Sequence, residues 1–158
     1  MEELCDGPPE EVVVENARRK ARAGLAATRG DRHVLGVDTD VVLDGRTLGK
    51  ADDEAQARAR LESLSGRTHE VLSGIALIEG GFEERTALGR SLVTFRELEP
   101  ETIDLYLRSG EWRDRAGAYA IQGLGSILVE RLEGDFSNVV GLPVATLVQL
   151  APELLERT

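Results

Sequence analysis

Two aspartates one residue apart, Asp38 and Asp40, interrupt an otherwise apolar run from Val34 to Leu43. The run is rich in Val and Leu and reads as a β-strand. Side chains alternate along a strand, so Asp38 and Asp40 share one face while Thr39 and Val41 share the other. Two carboxylates on one such face are costly unless one is protonated, a cation lies between them, or the face lines a wet cleft. The last two outcomes describe an active site. Asp44-Gly45 is a hairpin signal, because both central positions of a type I′ turn need positive φ, and the returning segment ends on Lys50. Two further polar places stand out: Lys20, and the Gly-rich stretch from Tyr119 to Gly125. Ammonium groups neutralise phosphate oxygens while carboxylates hold Mg²⁺ or orient water, so this set suits a polyphosphate. Each feature also has a bland reading. Asp38 could be a helix cap or a buried hydrogen-bonding group, Lys50 a surface residue, and Gly123-Leu124-Gly125 an ordinary turn. Spacing alone leaves that choice open.

The elements that must position these residues follow from periodicity. A helix is expected from Pro9 to about Thr28, with Pro8-Pro9 at its start and Glu10 and Glu11 matched to its dipole. Val13, Ala17, Ala21 and Gly24 form a thin buried stripe. Lys20 lies at its edge, four residues beyond Asn16, and can lean an ammonium into a cleft. Arg18, Arg19 and Arg22 point outward and read as a solvated face. Asp53 to Gln56 resembles a capping box opening a helix to Ser65, ended by Gly66. Strands are expected over His69–Glu79 and Arg85–Leu98, joined at Gly80-Gly81 as an antiparallel hairpin. A helix from Pro100 to Leu107, a strand from Ile127 to Leu132 and a closing helix from Pro143 to Glu156 complete the chain. Pro152 should kink or split that last helix, an amphipathic lid with Val144, Leu147, Val148, Ala151, Leu154 and Leu155 inward. The pattern is a mixed-sheet α/β domain, one unit over residues 1–158.

With 158 residues the chain can bury a real core. Its net charge of −10, from 29 acidic against 19 basic residues, argues against a nucleic-acid partner. A small anion met by a local basic cluster remains compatible. The single cysteine, Cys5, forms no internal disulfide, and no signal peptide or bilayer-length apolar run is evident. A cytoplasmic protein with no membrane partner is expected. His33 and His69 each lack a second ligand at metal spacing and read as structural or solvent-exposed.

Four stretches in order, GVDTDVVLDGRTLGK, LSGRTHEVLSGIAL, SGEWRDRAGAYAIQGLG and GDFSNVVGLP, resemble the Maf family of nucleoside triphosphate pyrophosphatases, known as septum-formation-inhibitor-like. The resemblance extends from the first helix to the end. It implies an elongated mixed α/β fold, similar also to inosine triphosphatases, with a nucleotide cleft and often a homodimer. It further implies cleavage of a nucleoside triphosphate to monophosphate and pyrophosphate with a divalent cation, Mg²⁺ or Mn²⁺. Asp38 matches the family's catalytic carboxylate. Lys50 and Lys20 match phosphate-binding lysines, and Thr39 and Gln122 match positions linked to base selection. The AGAYAIQG wording is similar to the branch preferring dTTP and UTP over methylated guanosine triphosphate. The metal ligands stay unassigned.

Two local departures from the family pattern stand out. Asp40 replaces a usually apolar residue, and Ala51 a common proline. Asp40 is either a further metal ligand or a rim charge, with the rim favoured. The family's opening strand, Ser-x-Ser-Pro-Arg-Arg loop and helix have no match here, so a truncated or mis-started chain is expected. Glu2 or Glu3 would then match an acidic family residue just after that unit. Two other readings compete: a nucleotide-binding regulator of septum formation that does not cleave, and an inosine triphosphatase-type enzyme, which the YAIQG and NVVGLP wording disfavours.

Overall fold

The computed structural model describes residues 3–4, 6–28, 33–80 and 83–156, which leaves Cys5 and the Gly81 half of the expected turn outside. Proline has a fixed φ and no N–H to lose, so it suits a first helical turn, and α1 (Pro9–Ala27) begins on it. Its inward stripe is small: Val13, Ala17 and Ala21 are fully buried. Small residues let the helix sit close to a sheet, and the sheet reciprocates with glycine. A Cβ at Gly36 would lie 2.1 Å from the Ala17 carbonyl oxygen, and one at Gly74 would lie 2.3 Å from that of Val13. No other residue permits this approach.

That sheet has five strands in the order β2-β1-β3-β4-β5. They are β1 (Val34–Leu43), β2 (Arg46–Thr47), β3 (Thr68–Glu79), β4 (Glu83–Phe95) and β5 (Val129–Glu133). The expected α/β fold with a helix-flanked sheet is present, but every pairing among the described strands is antiparallel rather than mixed. The connections explain this. β1 and β2 join through Asp44 and Gly45 at φ 51° and 75°, the left-handed pair a tight hairpin needs. α2 (Glu54–Leu64) leaves and re-enters at the same end of the sheet, with Val42 of β1 opposite Glu70 of β3, so no crossover forces a parallel neighbour. Its cap is as expected: the Asp53 carboxylate accepts from the Gln56 N–H at 2.8 Å.

Opposite α1, the sheet carries the main core. Val41, Val71, Val93 and Phe95 pack there with Leu61 and Leu64 of α2 and Tyr106 of α3 (Pro100–Ser109). β4 stops at Phe95, short of the expected Leu98, where its register with β5 shifts. β5 starts at Val129 because residues Gly123–Leu128 coil into a 3₁₀ turn. Sequence periodicity missed α4 (Phe136–Val140), which is too short to show a repeat. The closing helix is split, as a proline should split it, into α5 (Val144–Leu150) and a 3₁₀ turn at Pro152–Leu155. It is a poor lid: Val144 is 46% and Leu155 62% exposed. Polar bonds anchor it instead, from the N–H of Val144 to Ser137 Oγ and of Ala145 to the Asp135 carboxylate. No described helix is long and apolar enough to cross a membrane.

Candidate active site

Strand parity puts Asp38 on the α1 face of β1, and the glycine-mediated approach brings α1 down on it. Lys20 Nζ donates to Asp38 Oδ1 at 2.5 Å, and Asn16 Nδ2 donates to Oδ2 at 3.2 Å. Asn16 and Lys20 are one helical turn apart and so share a face. Asn16 is buried and also holds the incoming chain, taking the Leu4 N–H at 2.7 Å and donating to the Leu4 carbonyl at 3.0 Å. This places Glu3 Oε1 2.9 Å from Lys20 Nζ. Of the two acidic candidates at the start, Glu3 enters the site; Glu2 lies outside the described residues.

Charge in this cluster is mutually supporting. Burial works against the Lys20 ammonium, but its hydrogen bonds to Asp38 and Glu3 outweigh that and raise its pKa above the ordinary lysine value. The hydrogen bond from Lys20, and its charge, hold the Glu3 carboxyl below the usual range, with a smaller pull from Lys50. Asp40 behaves differently. Burial raises its pKa, and Asp38 adds to this, while the backbone N–H groups of Val41 and Gly49 oppose it. Those donors lie 2.8 and 3.3 Å from Oδ1. A solvated rim charge, the favoured expectation, does not describe this side chain.

β2 covers only Val42 and Leu43 on the outer edge of β1, so the edge before them has no strand partner among the described residues. A cleft forms there and opens to both faces of the sheet. On the α1 side a hollow of about 370 Å³ is lined by Glu3, Asn16, Lys20, Asp38, Asp40 and Lys50. On the other side a cavity of about 220 Å³ is lined by Thr39, Val71, Arg115, Tyr119, Gln122 and Val140, among others. Thr39, Lys50 and Ala116 border both, so the two hollows meet at the strand edge. All five residues expected at a site therefore line one or other of two neighbouring hollows that share Thr39, Lys50 and Ala116. Asp38 and Lys20 belong to one half, Gln122 to the other, and Lys50 and Thr39 to the seam.

The second half rests on a polar chain and an aromatic cluster. Thr39 Oγ1 and Ser73 Oγ are 2.7 Å apart, and Ser73 donates to the Asn138 carbonyl at 3.3 Å. Asn138 Nδ2 bonds the Val71 carbonyl and Ser91 Oγ, each at 3.0 Å, which ties α4 and the cavity-lining Val139 and Val140 to the sheet. Tyr119 shares a 2.7 Å hydrogen bond with His69 Nε2 and packs edge-on against Phe95. Burial pushes the Tyr119 phenol well up and lowers His69 to about 4. His69 is thus structural, as expected, and His33 pairs with Glu79 at 2.9 Å.

Comparison with known proteins identifies the family. Residues 1–154 match the family described as Maf-like protein. The chain belongs to the Maf family. Three similar relatives each carry the name dTTP/UTP pyrophosphatase. The Thermococcus gammatolerans protein is 46% identical over 149 residues, covering 94% of this chain and 79% of the relative. That of Pyrococcus furiosus is 41% identical over 151 residues, covering 94% and 77%. That of Moorella thermoacetica is 48% identical over 144 residues, covering 90% and 74%.

Asn16, Ser73, Asn138 and Arg115 border or brace this Maf cleft without having been singled out from sequence. Asn16 had a readable signal, a polar residue on the buried stripe one turn before Lys20. The others did not. The three outward arginines also differ in detail from a simply solvated face: Arg18 and Arg22 both reach Glu84, at 2.5 and 2.9 Å, and Arg19 reaches Glu15 at 3.1 Å.

Proposed function

We propose that this protein is a nucleoside triphosphate pyrophosphatase that hydrolyses dTTP and UTP to the monophosphate and pyrophosphate. The observation that carries this reading is the Lys20–Asp38–Asn16 cluster facing the same cleft as Lys50 and Gln122. The relatives' shared name supports the pyrimidine choice.

Hydrolysis adds one water across the α–β anhydride. Asp38 serves as the general base that accepts the water proton, with Lys20 and Asn16 fixing the carboxylate's orientation. Lys20 and Lys50 offset phosphate charge as the anhydride breaks, the kind of placed electrostatic support that lowers such barriers. In the other half, the Gln122 amide accepts from N3–H of uracil or thymine and donates to an adjacent carbonyl. Cytosine presents the reverse pattern, so the amide discriminates against it when its orientation is held rather than turned over. The wall of Val71 and Val140 accommodates the thymine methyl group.

Among the described residues no three acidic, His or Cys side chains cluster as a metal site. Mg²⁺ or Mn²⁺ would arrive with the triphosphate, since Mg²⁺ commonly takes one or two carboxylates and completes its shell with phosphates and water. Asp38 and Glu3, both paired with Lys20, line the hollow in which it would bind. When bound, the cation would neutralise phosphate charge and acidify water. The reading includes cytoplasmic residence and a homodimer.

A pyrophosphate-release assay with Mg²⁺ or Mn²⁺ across dTTP, UTP, CTP, GTP and ITP tests the proposal. Release from dTTP and UTP above the others is expected. Binding without release would favour a regulator, and a preference for ITP would favour the inosine triphosphatase type.

A further inference from the structure

Asp40 is unexplained by the reading above, and its geometry gives it a task. In an antiparallel ladder, hydrogen-bonded partners exchange both N–H···O bonds. Beyond Val42 and Thr47 only half of the next exchange is made: the Leu48 N–H donates to the Val41 carbonyl at 2.9 Å. Val41's own N–H turns instead to Asp40 Oδ1. The return strand has already diverged, because Gly49 adopts φ 54°, a left-handed conformation that leads the chain off the sheet edge. The Asp40 carboxylate fills the gap, since the same oxygen also accepts from the Gly49 N–H. On the opposite side the Gly49 carbonyl accepts from the Gly117 N–H at 2.8 Å, and Lys50 forms a bridge with Ala116. The backbone entering Lys50 is therefore gripped from β1 on one side and from the Arg115–Gln122 segment on the other. Lys50 itself is exposed, so its direction depends on that backbone.

We propose that Asp40 is a positioning residue for Lys50: by bonding the N–H groups of Val41 and Gly49 it fixes where the returning segment leaves β1 and so aims the lysine at the seam of the cleft. This rests on the reading of Lys50 as a phosphate ligand. An apolar side chain at position 40 could not bridge the two amides. An asparagine could, through its amide oxygen, while lacking the charge a metal ligand or a proton acceptor needs.

The test combines UTP pyrophosphate-release kinetics with hydrogen exchange at the Val41 and Gly49 amides. The variants are Asp40→Asn and Asp40→Val, each with and without Lys50→Ala; Asp40→Ala replaces the Val variant should it not fold. Asp40→Asn is expected to keep both amides protected and KM within about twofold of the parent, since its oxygen still accepts. Asp40→Val is expected to expose both amides and raise KM about fivefold, near the worth of one hydrogen bond, with kcat little changed. In the Lys50→Ala background the same change should add nothing, the signature of coupled residues. Loss of kcat in Asp40→Asn would overturn the proposal in favour of a direct role for the charge. An undiminished KM effect of Asp40→Val without Lys50, or amides that stay protected in it, would overturn it as well. If Lys50→Ala alone leaves KM unchanged, the phosphate reading of Lys50 fails, and the amide exchange alone decides whether Asp40 holds the segment.

Discussion

The two halves of the cleft are built in opposite ways. On the α1 side, long charged side chains reach across from helix to strand, and Lys20, Asp38, Glu3 and Asn16 satisfy one another directly. On the far side the lining comes from loops, α4 and backbone, with Ser73 and Asn138 bracing it from within the fold. A half made of charges can act on phosphate through field and proton transfer. A half that combines apolar walls with the Gln122 amide, and has Asp114 and Arg115 at its border, can select a base. The difference teaches that chemistry and selectivity should be separable by mutation, because the two linings share only Thr39, Lys50 and Ala116.

The largest effect should come from the charged half. Asp38→Asn is expected to lower kcat by about 10³-fold, within the range of a lost general base, while UTP binding by calorimetry persists. Persistent parental turnover would remove Asp38 from the mechanism. Next comes the support beneath that half. Gly74→Ala drives a Cβ into the Val13 backbone and should destabilise the fold by about 3 kcal/mol in chemical denaturation, by lifting α1 with its Lys20 and Asn16. An unchanged denaturation midpoint would show that the helix can shift freely.

The half lined by Gln122 carries its own sensitivity, to acid. Burial lowers His69 from the ordinary 6.5 to about 4, so the unfolded chain binds that proton over the interval and the folded chain does not. Stability therefore falls as pH drops through it, by about 2 kcal/mol between pH 6.5 and 5. His69→Gln should flatten the stability profile there in thermal melts recorded across that range. An equally steep profile in the variant would assign the acid lability elsewhere.

Much of the charged half was legible in sequence, since a carboxylate pair amid Val and Leu is anomalous and strand parity fixes which face it takes. Lys20 was legible from its place at the edge of the small-residue stripe. Asp40 was not, because residue type cannot show that a carboxylate will substitute for a missing strand. The sheet's sense was also misread: α2 suggests a crossover in sequence, yet it returns to the end of the sheet it left. The other half was legible only through Thr39 and Gln122. α4 is a single short turn, and the hydrogen bonds of Asn138 join residues 47 and 67 positions apart, beyond any local periodicity.

The separation of the two halves is tested most directly by the UTP:CTP ratio of kcat/KM, measured side by side in Lys20→Met and Gln122→Glu. Lys20→Met should lower both nucleotides together, by about tenfold or more, and leave the ratio at its parental value. Gln122→Glu should collapse the ratio by about tenfold. A ratio that moves with Lys20, or stays fixed without the Gln122 amide, would contradict the division of labour across the β1 edge.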